Sequence, residues 1–286
     1  MAENTQLFRK VAILGIGLIG GSMGIVLRKN KLAGEVVGVA RQHASLVHAL
    51  KNGAVDHGTH DLKKAVENAD LVILSTPVKT ITQMLSSIGG FLKRGAIVID
   101  VGSTKAAIVD AAQKSLPPHA YFVGTHPLAG SEKKGVMFSR GDLFNDSVCI
   151  VTPNEKTNKQ AAEKVKELWV KLGTTVKVVT PAEHDKILAY ISHVPHLLAY
   201  GLIEAIPQEY LGYATQGLKD TTRIAASDPE MWNDICLTNS KNITESVDAF
   251  VKILAVLRKS IVSQDDHSLI EHLKKSKNKR DGIDRG

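Results

Sequence analysis

Five stretches of this chain carry residues able to do chemistry at places where regular structure would be apolar. In VAILGIGLIGG, Gly15, Gly17 and Gly20 have the G-x-G-x-x-G spacing used by turns that cradle phosphates. DVGSTK (100–105) carries Ser103, and GTHPLAGSEKKG (124–135) carries His126. SHVPHLLAY (192–200) holds His193 and His196, and GLKDTTRIAASDPEMWNDI (217–235) supplies Arg223 and Trp232. A neutral imidazole can accept a proton near neutral pH, and a guanidinium grips a carboxylate bidentately. His193 and His196 are three apart and share one helical face. That pairing invites zinc, but no third ligand stands at a sensible spacing, so no metal site is expected.

The elements around these stretches decide what they can be. VAILGIG (11–17) reads as a strand entering a turn, followed by a helix over 20–30. Further strands are expected at 35–40, 71–77, 96–103, 121–127, 147–153 and 174–181, with helices at 44–53, 80–92 and 158–172 between them. Strands apolar on both faces and separated by helices indicate a parallel sheet covered by helices, the doubly wound α/β Rossmann-type architecture. Residues 9–24, with two charges before an apolar run, also resemble the start of a signal peptide. A glycine turn joining the first strand of a sheet to a helix argues against that. In such sheets ligands bind beyond the carboxyl ends of the strands, where DVGSTK and GTHPLAGSEKKG lie. After Thr180 the strand signal stops, and helical patterns run through 182–206, 208–225, 229–238 and 240–261. The expected division is a dinucleotide-binding domain over 1–180 and an all-α domain over 181–286. Helices 182–206 and 240–261 are apolar over much of their circumference and should both be buried, and a helical domain with that much apolar surface should be completed by a second copy in a homodimer.

Composition closes off other classes. Of 286 residues, 43% are apolar and 23% charged, as in a soluble globular protein. The net charge is +7, but six of the Lys and Arg residues crowd into the last thirteen positions, KKSKNKRDGIDRG. That basic segment, from about 274, lacks apolar periodicity and aromatic residues, so it reads as a disordered tail and not a nucleic-acid arm. No run reaches the length of a membrane span. Cys149 and Cys236 are far apart without ligand spacing, which favours a reducing, cytoplasmic setting. For the cofactor, Gly15, Gly17, Leu18, Ile19 and Gly20 form the expected pyrophosphate turn, with Thr76 at a neighbouring strand end. An NAD site usually has Asp or Glu at the end of the second strand. Here Ala40 occupies that place, followed by Arg41, His43 and Ser45, so NADP is preferred over NAD, with Arg41 and Ser45 as candidate contacts.

Taken together, GLIGGS, DVGSTK, GTHPLAGSEKKG, SHVPHLLA and TRIAASDPEMWNDI resemble, in order over about residues 9–260, the TyrA family of prephenate and arogenate dehydrogenases. The resemblance implies a Rossmann domain, a helical dimerisation domain and an active site between them. His126 matches the family's catalytic histidine, and Ser103 its serine near the nicotinamide and the reacting hydroxyl. A serine there also suits the N-cap of a helix over 104–114. The resemblance makes His196 a substrate-site residue, His193 its support, and Arg223 the grip on the ring carboxylate. Ser131 and Glu132 fall on the substrate side, and Trp232 is expected to pack. The implied reaction is oxidative decarboxylation of prephenate to 4-hydroxyphenylpyruvate in tyrosine biosynthesis, with arogenate to tyrosine as the near alternative. A non-catalytic nucleotide-binding regulator would not need Ser103, His126, His196 and Arg223 intact. A β-hydroxy-acid dehydrogenase would typically need a lysine in the helical domain, and none stands in a comparable motif. With little chain after 260, inhibition by tyrosine would be expected to act at the active site.

Overall fold

The computed structural model describes residues 6–130 and 133–283. The chain separates into two compact units, Met1–Asn239 and Ser240–Gly286. The first is built on eight strands: β1 (Phe8–Leu14), β2 (Ala33–Val39), β3 (His57–Thr59), β4 (Leu71–Leu74), β5 (Ile97–Asp100), β6 (Tyr121–Pro127), β7 (Val148–Thr152) and β8 (Thr175–Val178). Their order is β3-β2-β1-β4-β5-β6-β7-β8. The order reverses between β1 and β4, so the crevice for a ligand opens at their carboxyl ends, beside Gly15 and Ser75. Strands β1 to β6 run parallel. β7 is antiparallel to β6, placing His126 opposite Ile150, and β8 is parallel to β7. The last two strands therefore run against the rest, which the sequence pattern did not show because strand direction depends on pairing partners and not on side-chain pattern.

Helices cover both faces of this sheet. They are α1 (Leu18–Lys29), α2 (His43–Lys51), α3 (Leu62–Val66), α4 (Val78–Ile88), α5 (Ala106–Ser115) and α6 (Lys159–Lys171). One layer of core packs β1 and β5 residues Val11, Ile13, Ile97 and Ile99 against Met23, Leu27, Leu168 and Trp169. The other packs Ala12, Leu14, Val72 and Leu74 against Ile81, Leu85, Ile108 and Ala112. Alternate residues of one strand thus enter opposite cores, the reason these strands lack polar positions. Gly53, at φ +70°, ends α2 as its sequence position suggested. β3 and α3 went unforeseen; each is short, and α3 is started by Asp61, whose carboxylate accepts from Lys64 N at 3.2 Å.

The first unit continues through α7 (Pro181–Leu188), a π-helical turn (Ala189–His193), α8 (Val194–Glu204), a 3₁₀ turn (Gln208–Tyr213), α9 (Gln216–Thr222), a 3₁₀ turn (Arg223–Ala226) and α10 (Pro229–Thr238). The expected helix 182–206 is thus interrupted. Pro195 has no N–H for the carbonyl four residues back, and Val194 N–H bonds Ala189 O five residues back. This stretch is half-buried: Leu188, Ala189, His193 and Val194 are covered, while Tyr190 and Ile191 are exposed.

The second unit is a helical hairpin, α11 (Ser240–Val262) and α12 (Asp266–Asp281). Two expectations fail here. α11 is not buried in the single chain: Val251, Ile253, Leu254 and Val262 are exposed, because a two-helix unit has too little surface to cover a stripe this wide. The basic segment from 274 is not disordered through its described length but continues α12. Asp265 caps that helix by accepting from Ser268 N at 3.0 Å, Lys277 pairs with Asp281, and Lys279 and Arg280 in the last turn complement the helix dipole. Local capping and i,i+4 pairing supply what apolar periodicity lacked. Among the described residues, no helix is long and apolar enough to cross a membrane.

Candidate active site

A cavity of about 430 Å³ opens at the carboxyl ends of β1, β4, β5 and β6. Gly17, Leu18 and Ile19 line one side, Ser75 and Thr76 the next, then Ser103 and His126, with Ser227, Asp228, Met231 and Ile235 closing the far wall. The glycine turn at its entrance is built by exclusion. Gly15 sits at φ +105°, and a Cβ there would meet Ser75 O at 2.3 Å. Gly20 packs against the Gly15 carbonyl, where a Cβ would come to 2.3 Å. Gly17 is the opposite case: nothing lies within 4 Å of where its Cβ would be. Gly17 also caps α1 without a side-chain bond, so the first-turn N–H groups have no protein partner of that kind. Open space before bare helix N–H groups fits a dinucleotide pyrophosphate. Arg41 and Ser45 stand elsewhere: Arg41 is exposed just past β2, and Ser45 lies in the first turn of α2, outside the cavity wall.

Ser103 and His126 are held from behind by a buried ionic brace. Lys105 and Asp100 are both fully buried and paired through Lys105 Nζ. Lys105 Nζ also donates to Thr125 O at 2.8 Å, while Asp100 accepts from Gly102 N at 2.8 Å and Thr125 N at 3.2 Å. The brace ties the end of β5 to the end of β6, and so fixes Ser103 relative to His126. Ser103 does not cap the following helix. The N-terminus of α5 is capped from α7 instead, where Asp185 accepts from Lys105 N at 2.7 Å and Ala106 N at 2.9 Å.

His126 is 9% exposed at the cavity floor. Its Nδ1 lies 2.9 Å from His184 Nε2, and His184 Nδ1 lies 2.8 Å from Asp185 Oδ1. Burial above all, then the neighbouring His184, Lys105 and His193, hold the His126 imidazole well below its ordinary protonation range. Burial also lowers His184, His196 and His193, the last to about 4. All four imidazoles are therefore neutral at neutral pH, and His126 is ready to accept a proton.

His193, His196 and Arg223 do not line the cavity wall. The π turn directs His193 into the core, where its Nδ1 meets Asn239 Nδ2 at 3.2 Å. His196 Nδ1 donates to Ser192 O at 3.0 Å, and its ring stacks on Trp232 with centroids 3.8 Å apart. Arg223 is close enough to depress His196 electrostatically. Trp232 is buried, with its ring against both His193 and His196. Ser131 and Glu132, expected on the substrate side, lie outside the described residues. Among the described residues no cluster of three or more His, Cys, Asp or Glu side chains is poised to hold a metal.

Sequence reasoning missed His184, Asp185, Lys105 and Asn239. The signal was there for the first two: adjacent polar residues in AEHDKILAY, with His184 and Leu188 four apart on the buried face. Asp228 was also legible, as an N-cap immediately before Pro229. It accepts from Glu230 N at 2.8 Å and pairs with Lys134 across the cavity mouth.

Comparison with known proteins gives a consistent family. Residues 23–178 match the family model of the prephenate dehydrogenase nucleotide-binding domain, and residues 180–275 that of the prephenate dehydrogenase dimerization domain. The chain is 34% identical to a prephenate dehydrogenase of Bacillus subtilis, over 97% of this chain and 77% of that one. It is 35% identical to a cyclohexadienyl dehydrogenase of Zymomonas mobilis, over 96% of this chain and 95% of that one. Among solved structures, the prephenate dehydrogenase of A. aeolicus in complex with hydroxyphenyl propionate and NAD+ superposes with a TM-score of 0.90 at 35% identity, covering 96% of this chain and 98% of that one.

Proposed function

The chain belongs to the prephenate dehydrogenase family, and on that premise we propose that it oxidatively decarboxylates prephenate to 4-hydroxyphenylpyruvate, with NADP preferred over NAD. The observation that carries the reading is the buried, neutral His126 on the floor of the same cavity whose entrance is the glycine turn. A bound nicotinamide dinucleotide supplies the hydride acceptor. His126 takes the proton of the C4 hydroxyl as that carbon becomes a carbonyl, and returns it to the phenolate once the ring has lost carbon dioxide. Ser103, at the same wall, orients the hydroxyl. Arg223 holds the ring carboxylate, with His196 beside it and His193 bracing from the core. Ser131 and Glu132 are kept as substrate-side residues. Gly15, Gly17, Leu18, Ile19, Gly20 and Thr76 hold the dinucleotide.

The cofactor preference rests on the rim beyond β2. No carboxylate follows Val39; Ala40 O accepts from His60 Nδ1 at 2.8 Å, and the His43 and His60 rings stand 6.1 Å apart beside the exposed Arg41. Of the acids that follow β2, Asp56 pairs with Arg28 and Asp61 is occupied in capping α3. A basic rim without a carboxylate suits a 2′-phosphate. We keep the functional division near Thr180, where the sheet ends. The homodimer contact is assigned to the exposed apolar stripe of α11, within the stretch matched by the dimerization model. Two free cysteines are in keeping with the cytoplasm.

Steady-state turnover with prephenate and arogenate, each with NAD and NADP, tests the reading. Expected is reduced nicotinamide formed from prephenate, with the higher kcat/KM for NADP. Turnover of arogenate alone would reassign the substrate, and no turnover in any combination would overturn the reading.

A further inference from the structure

The line of groups behind His126 has a direction. Asp185 takes a backbone N–H on each oxygen, from Lys105 and Ala106, so it meets His184 as an acceptor and His184 Nδ1 carries the proton. The neutral His184 then has only a lone pair at Nε2. That atom lies 2.9 Å from His126 Nδ1, so His126 must donate there, and its own lone pair is fixed at Nε2. The anchor is itself immobile: the Asp185 carbonyl accepts from Asn239 Nδ2 at 2.7 Å, and His184 is fully buried.

From this geometry we infer that His184, backed by Asp185, is a positioning residue that sets the tautomer of His126 and stabilises the imidazolium formed there during turnover. The inference rests on the reading of His126 as the base. Without His184, Nδ1 and Nε2 of His126 compete for the proton, and the tautomer with Nε2–H cannot accept the substrate proton. The pH profile carries a second signature. The charged and titratable groups facing His126 are His184 and Asp185 from α7, Lys105 and Asp100 from the β5–α5 turn, His193 from the π turn and Cys149 from β7. Removing the imidazole at 184 while keeping its bulk leaves burial in place and takes away the acceptor that the His126 imidazolium donates to, so His126 protonates less readily.

The test compares His184→Leu, His184→Gln and His126→Asn for kcat, both KM values, the pH profile and Tm. A leucine ring-sized plug cannot accept from Nδ1. A glutamine can accept from His126 and donate to Asp185, keeping the direction of the line. His184→Leu is expected to lower kcat by roughly 10- to 1,000-fold, the range of a misplaced general base. KM for substrate and cofactor should stay within about threefold, and the acid limb of kcat/KM should move to lower pH. His184→Gln should recover most of the rate. If leucine prevents folding, His184→Asn, too short to reach both partners, takes its place with the same expected loss. Wild-type kcat in the leucine or asparagine variant, or equal losses in glutamine and leucine with an unmoved acid limb, would overturn the inference. Undiminished turnover in His126→Asn would instead remove the base assignment itself.

Discussion

Replacing Lys105 by methionine probes the brace on which the site stands. The stem length is kept and the ammonium removed, leaving Asp100 with Gly102 N and Thr125 N as donors but no counter-charge, at zero exposure. Breaking a buried pair by removing one partner costs about 3–5 kcal/mol, and the two remaining donors put this case near about 3 kcal/mol. For a chain of this size, at roughly 2–4 °C per kcal/mol, Tm should fall by about 6–12 °C. Activity should fall too, because Ser103 and His126 sit at the two strand ends the brace joins, and a displacement of about 1 Å can cost on the order of 100-fold. Thermal unfolding and kcat would be measured for Lys105→Met, Asp100→Asn and the double variant. The double variant should be no less stable than Lys105→Met, with coupling above about 1.5 kcal/mol, as for groups sharing one network. A loss under about 1 kcal/mol in Lys105→Met, or losses that simply add, would refute the reasoning.

Other perturbations separate the remaining roles. Gly15→Ala should destabilise the fold, since its Cβ would meet Ser75 O at 2.3 Å at φ +105°, whereas Gly17→Ala has open space and should leave Tm unchanged while raising KM for the dinucleotide; equal Tm values would count against this contrast. Arg223→Ala should raise KM for prephenate by about 1.5–3 kcal/mol of lost charge-assisted binding, with a smaller change in kcat; an unaltered KM would dismiss the carboxylate role. Acid should destabilise the protein through its buried neutral histidines. Their folded pKa values are lowered, so below the unfolded value of 6.5 the unfolded chain binds protons that the folded chain refuses, and stability drops as pH falls. His193 alone, lowered to about 4, contributes a loss of about 3 kcal/mol by pH 4; an unfolding free energy flat from pH 7 to 4 would contradict this.

The sheet and its crevice were legible because their causes are local. Apolar runs on both strand faces mark a covered sheet, and the clash at Gly15 marks the turn. The reversal of β7 was not legible, since strand direction depends on partners and not on side-chain pattern. The polar pair His184 and Asp185 showed in the pattern of AEHDKILAY, but not its partners, which come from α5 and β6, distant in sequence. The helical tail was misread because capping and i,i+4 pairs leave no apolar period. The exposure of α11 was misjudged because periodicity shows that a face wants cover, not which surface provides it.

The central claim is that a buried imidazole, His126, held neutral by its surroundings, is the base in the reaction. The pH dependence of kcat/KM for prephenate addresses it most directly. The account predicts a rate that holds level through pH 6.5 and declines only in more acid solution, as His126 takes up its proton. A decline beginning at or above pH 6.5, or a profile without an acid limb, would contradict it.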